Sequence, residues 1–294
     1  MKYLYSIIFV ILFSSCDFRQ SVNRDITTGA YSRGDGLSSD NVLIEVDKKV
    51  ANRNVFFFGE EVNIIFNDVV GFKKIDTKVF PGVSVNILNS KKDTIQSSLD
   101  LLTDLEGTSL LPLQLKAKFT AIFPRKEQYE MHIKIWDKKG DGQYFYKLPF
   151  TIEDSKVLEV KTNGIKYTNI YLWNETQSKP VIDKSIVQDD TYILILEGLK
   201  GLKDIEGKVF PIFSIELLDS KGNALIAIPN LLQEVEDTGV GIKTLYQNQL
   251  TAKISFNKGE INNPCTFIAV IKDKNSNKKV EISTELEIKK YSFE

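Results

Sequence analysis

The sequence predicts an all-β protein built from two tandem antiparallel β-sandwich domains, and two observations lead to this prediction. The first is the alternation of apolar and polar residues over Tyr129–Ile135 and Tyr144–Ile152. A period of two indicates strands with one buried face and one wet face, which is typical of antiparallel sheets. The turn-rich loop Asp137–Gln143 between them predicts a β-hairpin. Cys265–Ile271 and Val280–Ile288 repeat this phase near the end of the chain.

The second observation is an internal repeat. Residues 71–95 and 201–225 align without gaps and share eleven of 25 positions, including Lys-Val-Phe-Pro in both copies. The spacing of 130 residues grows to 136 near the end of the chain, so the second copy carries an insertion after position 110. A period this long indicates duplication of a whole domain and not a solenoid. The motif itself predicts the start of a strand, where a proline removes no needed donor.

The remaining strands follow from shorter apolar runs. In the first copy they are predicted at Val42–Val46, Val62–Phe66, Val83–Leu88 and Leu115–Phe123. In the second copy they are predicted at Val157–Val160, Tyr192–Leu196, Phe213–Leu218 and Leu250–Phe256. About seven strands in each copy resembles the immunoglobulin-like sandwich, in architecture only, since the Cys-Trp-Cys pattern of antibody domains is absent. The two domains are predicted at residues 42–154 and 155–294.

The N-terminal residues predict export. One lysine precedes the apolar run Tyr3–Phe13, and Ser14-Ser15-Cys16 follows. This run is too short to span a membrane, and it is similar to the signal peptide and lipobox of bacterial lipoproteins, with Phe13 in place of the usual leucine. The resemblance implies removal of a signal peptide, residues 1–15, and a membrane anchor through lipid such as palmitate on Cys16. An ordinary secretory signal with an incidental cysteine is the alternative.

The resemblance also implies a location in the cell envelope. The outer membrane is favoured, facing the periplasm or the outside, although Asp17 resembles an inner-membrane retention signal in some bacteria. Residues 16–41 are rich in Ser, Gly and Asp and show no periodicity. They are predicted to form a flexible tether with a root-mean-square span of roughly 25–30 Å.

The composition gives little support for catalysis, cofactors or nucleic acid. The chain has one histidine, His132, and after lipidation of Cys16 only Cys265 would be left as a thiol, on the core phase of its strand. No metal, nucleotide or nucleophile motif occurs, and Asp137–Gly142 lacks the spacing of an EF-hand loop. Thirty-eight basic and 39 acidic residues give no basic surplus for nucleic acid. We therefore expect no enzyme, metal or cofactor, although a two-carboxylate glycosidase stays open.

The candidate binding surface lies on the last hairpin of the first copy. Pairing Ile135 with Tyr146 would bring Trp136 opposite Phe145 and Lys134 opposite Lys147. The second copy has Lys272 and Glu281 in place of the two aromatics. Exposed aromatics flanked by polar groups stack on sugar rings or anchor protein partners. Packing against the other domain, the tether or each other is the alternative.

Tyr171 and Trp173 would share a strand face near the domain boundary and could extend this surface. Packing between the domains is the alternative there too. Two functions remain open: a non-catalytic binding or scaffold lipoprotein with a protein partner, and a surface glycan-binding lipoprotein similar in outline to the accessory binders of polysaccharide-uptake systems.

Overall fold

The structure is a computed structural model that describes residues 20–110, 112–256 and 259–290. It is all-β, as predicted. The signal peptide, residues 1–15, and the lipid site Cys16 lie outside these residues and stay predictions. Within the described ranges, none of the helices has the length and apolar character needed to cross a membrane.

The first half of the described chain contains eleven strands. They are β1 (Gln20–Arg24), β2 (Tyr31–Asp35), β3 (Asn41–Val46), β4 (Lys49–Val50), β5 (Val55–Phe57), β6 (Glu61–Asn67), β7 (Pro81–Leu88), β8 (Thr94–Ser98), β9 (Leu115–Thr120), β10 (Gln128–Asp137) and β11 (Gln143–Glu153). The alternation that predicted β10 and β11 is confirmed, because inward side chains from Tyr129 to Ile135 are buried.

The second half contains twelve strands among its described residues, together with a short 3-10 helix, Gln233–Val235, and one α-helix, α1 (Ile242–Gln247). The strands are β12 (Glu159–Asn163), β13 (Asn169–Asn174), β14 (Lys179–Pro180), β15 (Ser185–Val187), β16 (Tyr192–Glu197), β17 (Lys208–Val209), β18 (Pro211–Leu218), β19 (Ala224–Ile228), β20 (Val240–Gly241), β21 (Leu250–Ile254), β22 (Cys265–Asp273) and β23 (Lys279–Lys289).

Each half encloses a core between a large and a small sheet. In the first half the large sheet has the order β1-β2-β11-β10-β7-β8 and the small sheet β4-β3-β6-β9. In the second half the orders are β12-β23-β22-β18-β19 and β14-β13-β16-β21. The two halves correspond strand for strand, apart from β1 in the first half and the short pair β17–β20 in the second. Neighbouring strands are antiparallel except for the short parallel pairs β5–β11 and β15–β23.

The tether prediction is wrong for residues 20–41. Strand β2 pairs with β11 along its whole length, and β1 pairs with β2 at the sheet edge. The inward positions of β2 are Ser32 and Gly34, which are buried although neither is apolar. A strand with small inward residues lacks the alternating signal that revealed the others. The repeat also begins earlier than predicted, because Gly36-Leu37 of the first half corresponds to Gly164-Ile165 of the second.

The repeated Lys-Val-Phe-Pro motif marks the start of a strand in both halves, as predicted. Pro81 opens β7 and Pro211 opens β18. The hairpin after β10 is also confirmed. The buried Asp137 carboxylate accepts hydrogen bonds from the backbone N–H groups of Lys73, at 2.6 Å, and Lys139, at 2.9 Å. Asp137 therefore closes a turn and joins it to the loop that precedes β7.

Candidate functional site

The outer face of the large sheet in the first half brings four of the predicted site residues together. Phe145 on β11 lies between Arg33 on β2 and Lys134 on β10. Lys147 lies between Tyr31 and His132, and Trp136 lies between Gln143 and Gly82. Aromatic, basic and amide side chains thus lie side by side on this face, over the four neighbouring strands β2, β11, β10 and β7. We refer to Tyr31, Arg33, Lys134, Trp136, Phe145 and Lys147 as the aromatic face.

The predicted register of this hairpin is wrong by two residues. Ile135 pairs with Tyr144 and not with Tyr146, so Trp136 lies opposite Gln143 and Lys134 lies opposite Phe145. The hairpin closes more tightly than expected, with the N–H of Asp137 donating to the carbonyl oxygen of Gly142 at 2.9 Å. A shift of two residues keeps every side chain on its predicted face, because strand faces alternate with a period of two.

The same correction applies to the second half. Lys272 lies opposite Lys279 and not opposite Glu281. Glu281 forms its ion pair with Lys279 on its own strand, at 2.6 Å. Lys272 and Glu281 therefore still occupy the positions of Trp136 and Phe145. The two residues of each pair do not lie opposite one another, however, in either half.

Trp136 packs onto the sheet itself. It is half-buried, and a Cβ atom added to Gly82 would lie 2.2 Å from Cε2 of the indole. Gly82 therefore gives the ring a place to lie across β7. The corresponding residues of the second half are Ile212 and Lys272, which have no such arrangement.

Phe145 is the open aromatic residue of the pair. It is 41% exposed. The Nζ atom of Lys134 lies 5.5 Å from its ring centroid, within the range of a cation–π interaction. A ring with this exposure and polar neighbours on both adjacent strands can still stack on a ligand.

Glu130 holds the cations beside this face. Its carboxylate pairs with Lys147 at 2.6 Å, Lys92 at 2.8 Å and His132 at 3.2 Å. Partial burial alone would raise the pKa of Glu130, but hydrogen bonds from Lys147, Lys92 and His132 outweigh it and lower the pKa to about 2. Lys147 is therefore oriented and partly neutralised, whereas Lys134 faces Phe145.

This carboxylate predicts an acid-dependent loss of stability. The pKa of Glu130 is lower in the fold than its ordinary value of 4.5, so the stabilisation is complete above pH 4.5 and is lost as the pH falls toward 2. Acid unfolding of the wild type and of Glu130→Gln, followed by circular dichroism, measures this contribution. The difference in stability between the two proteins should shrink over that interval. A difference that is constant with pH would contradict the ion network.

Tyr171 and Trp173 belong to the contact between the halves, so the prediction that they form a binding platform is corrected. Tyr171 is only 8% exposed, and its ring centroid lies 4.4 Å from that of Phe58 in the first half. Its hydroxyl is 3.2 Å from Oε1 of Glu197, and burial raises its pKa. Trp173 is half-buried against the core of the first half. Packing between the halves, the stated alternative, accounts for both.

The loop Phe57–Glu60 carries this contact. Gly59 has a φ of +95°, and a Cβ atom there would lie 2.7 Å from Cβ of Pro180. Glu60 is 1% exposed, yet it accepts hydrogen bonds from Nη2 of Arg53 at 2.8 Å, the N–H of Phe57 at 2.9 Å and Nζ of Lys156 at 3.1 Å. Lys156 belongs to the segment that joins the halves, so this carboxylate fixes the junction.

A cleft of about 640 Å³ opens beside Glu60. Its walls come from both halves and include Ala51, Val157 and Ile182. At another position of the junction, Arg125 lies over the ring of Tyr167 at 3.8 Å and pairs with Asp154 at 3.0 Å. The charges at both positions are engaged in holding the halves together.

Other candidate chemistry is limited. Cys265 is fully buried, and burial raises the pKa of its thiol, which suits a packing residue as predicted. In the described ranges there is no group of three or more His, Cys, Asp or Glu side chains placed to hold a metal ion. Tyr31 and Arg33 were missed as site residues because their strand was assigned to the tether. The sequence match between Gly36-Leu37, which follow β2, and Gly164-Ile165, which follow β12, is the signal that could have found them.

Comparison with known proteins gives no family for the chain. No protein family and no curated protein matches it. Solved structures with some likeness include the C-terminal domain of wzt, at 10% identity and a TM-score of 0.31, covering 48% of this chain and 84% of that one. The adhesin domain of Epf from Streptococcus pyogenes has 12% identity and a TM-score of 0.19, covering 94% and 85%.

A SusE-like protein has 10% identity and a TM-score of 0.18, covering 83% of this chain and 97% of that chain. All three TM-scores are too low for an argument about function. The function is therefore argued from the geometry of this chain.

Proposed function

We propose that this chain is a non-catalytic binding protein of the cell envelope, anchored by lipid on Cys16, that presents the aromatic face to a ligand. The anchor is supported by the lipobox-like residues Phe13–Cys16. The binding role is supported by the difference between the two halves, described next. A location in the outer membrane is part of the proposal.

The observation that carries the proposal is that one half has an aromatic face and its duplicate does not. Phe145 lies between Arg33 and Lys134, whereas Glu281 occupies the corresponding position between Lys161 and Val270. The strand order and the buried faces agree in the two halves. Since the second half folds without these aromatics, the fold itself does not require them, and a ligand is the simplest reason for their presence.

A glycan is the ligand that the chemistry of this face favours. Phe145 and Tyr31 are 41% and 38% exposed, and their cross-strand neighbours are the polar residues Arg33, Lys134 and Lys147. Aromatic rings stack on the apolar faces of sugars, while basic and amide groups bind hydroxyl and carboxylate oxygens. A protein partner would instead favour a wider apolar patch around the rings. Binding to a protein partner, as a scaffold, is the second candidate.

The test is a matched pair of substitutions. Phe145→Ala is expected to weaken binding to the best ligand of a glycan panel by about tenfold or more, as for a central aromatic contact. Glu281→Ala, at the equivalent position of the second half, should leave the affinity unchanged. Isothermal titration calorimetry measures both, and thermal unfolding shows that each variant is folded. Equal losses in both variants, or none in either, would contradict the assignment of the site.

A further inference from the structure

One end of the first half carries the beginning of the described chain. Gln20 pairs with Asp35, which leads directly into Gly36. The carbonyl oxygen of Gly36 lies 2.1 Å from the position of a Cβ atom on Gly71, so the loop that begins there packs against this point. A Cβ atom on Gly140 would lie 3.2 Å from Cβ of Lys73, which brings the hairpin turn to the same end.

Apolar side chains are open to solvent at this end. Val70 is 55% exposed, Ile75 is 41% exposed and Leu110 is 74% exposed. The Lys78–Val79 segment connects two of them, because Lys78 forms a backbone bridge with Ile75, and Val79 forms one with Thr108, two residues before Leu110. Val70 forms its bridge with Ser38, which follows Gly36 and Leu37 at the same end. Three exposed aliphatic side chains therefore lie at the end of the first half that carries the first described residues.

The second half shows what covers the equivalent loop. There the inserted helix α1 is bonded to it: the N–H of Ile242 donates to the carbonyl oxygen of Gly207 at 3.0 Å, and the N–H of Gly201 donates to the hydroxyl of Tyr246 at 3.1 Å. Leu202 is 4% exposed in that loop. Its counterpart in the first half, Phe72, is only half-buried. The first half lacks the insertion, so its loop remains uncovered.

Lysines surround the open surface. Lys73, Lys74 and Lys139 are exposed, and none forms an ion pair within the described part of the chain. Asp76 and Asp141 are the exposed acids of the same two loops. The repeat pairs Lys138 with Lys274, and both are engaged, to Asp100 at 2.6 Å and to Asp237 at 2.7 Å. The second half has Asp204 and Asn275 in place of Lys74 and Lys139, and it retains only Lys203, in place of Lys73. Lys73 and Lys74 are thus available to an external anion, and so is Lys139, whose Nζ atom also lies 5.5 Å from the ring centroid of Phe80.

The position of the lipid determines which partner fits. Three residues separate Cys16 from Gln20, the first residue of β1, so the two Cα atoms are at most about 14 Å apart even when the chain is fully extended. This step rests on the proposed lipid anchor. A lipid on Cys16 would therefore hold this end of the first half within reach of the membrane surface, where apolar and basic side chains together favour binding.

We propose that Val70, Ile75, Leu110, Lys73, Lys74 and Lys139 form a docking face for anionic lipid headgroups. The lysines bind phosphate oxygens, and the aliphatic side chains enter the interface between headgroups and acyl chains. The first half then stands directly on the membrane, with the second half farther along the chain. This replaces the long flexible connection that the composition of residues 16–41 predicted.

The test uses the processed chain, residues 16–294, with Cys16→Ser to remove the lipid. Co-sedimentation with vesicles of phosphatidylethanolamine and phosphatidylglycerol in equal parts should show binding that weakens as salt is raised. Vesicles of phosphatidylcholine alone should bind less. The triple variant Lys73→Glu, Lys74→Glu, Lys139→Glu should bind at least about tenfold more weakly. Ile75→Ser with Leu110→Ser should reduce binding at both low and high salt.

The matched control reverses the charge of three exposed lysines of the second half, in the triple variant Lys200→Glu, Lys203→Glu, Lys272→Glu. Its charge change is the same, so equal losses in the two triple variants would overturn the docking face in favour of non-specific attraction. Absence of vesicle binding by the Cys16→Ser chain would also overturn it. The anchor is tested separately by mass spectrometry of the N-terminal peptide from the unsubstituted protein. If the Cys16→Ser chain binds vesicles but the natural protein is not lipidated, the lipid anchor is wrong and the docking face stands. If the protein is lipidated but the Cys16→Ser chain does not bind, the docking face is wrong and the anchor stands.

Discussion

Replacing Glu60 with alanine is expected to lower the free energy of unfolding by about 3 kcal/mol. The carboxylate is 1% exposed and accepts hydrogen bonds from Arg53, Lys156 and the N–H of Phe57. Its removal leaves that partly buried N–H without its acceptor, and leaves two cations without their counter-charge. Arg53 and Lys156 are 33% and 46% exposed, so water can partly hydrate them. This keeps the expected cost at the lower end of the range for a buried ion pair.

The neighbouring residue provides the control for this prediction. Glu61 is also ion-paired, to Lys118 at 2.7 Å, but its side chain is 41% exposed. Glu61→Ala should cost less than about 1 kcal/mol, as for other surface pairs. Urea unfolding followed by fluorescence measures both variants. Similar losses would mean that burial and the bond to Phe57 do not set the contribution of Glu60.

The parts of the fold that the sequence predicted well are those whose burial leaves a pattern. Strands β10 and β11 alternate because one face is in the core and the other is wet, and β22 and β23 repeat that phase. The insertion in the second half was also visible, as a change in the spacing of the repeat. Its identity as helix α1 was not, because six residues with one buried position, Leu245, leave no helical period to recognise.

The parts that were missed depend on contacts that leave no local pattern. Strand β2 turns Ser32 and Gly34 inward, and it is held by hydrogen bonds to β11, so its residues resemble a linker in isolation. The face of Trp136 was predictable from alternation, but its partner was not, since alternation defines the face of a strand and not its register. The packing of Trp136 on Gly82 depends on that register and on a residue 54 positions away.

Tyr171 was assigned to the wrong surface for the same reason. Its strand, β13, corresponds to β3 of the first half, where Leu43 occupies the equivalent position. Both residues point outward from their small sheets. Only in the second half does the loop carrying Phe58 lie against that outer face. Burial there comes from the arrangement of the two halves, which the duplication itself does not reveal.

This arrangement gives the second large expected effect, in Tyr171→Ala. Removing a ring that is 8% exposed and stacked at 4.4 Å on Phe58 should cost about 3 kcal/mol, near the lower limit for a buried aromatic residue. The loss falls on the contact between the halves and not on the interior of either core. We therefore expect one unfolding transition in the wild type and two in this variant, because each half retains its own core when the coupling is weakened.

Two further variants identify the cause of this effect. Leu43→Ala removes the equivalent outward residue of the first half, which is half-buried and has no second half against it, and should cost clearly less. Tyr171→Phe retains the ring but loses the bond to Glu197, and should cost about 1 kcal/mol. Calorimetry resolves the transitions, and small-angle scattering measures whether the halves move apart. A single transition in Tyr171→Ala, with an unchanged scattering profile, would mean that the other contacts, including those of Glu60, Arg125 and Trp173, are sufficient to keep the halves together.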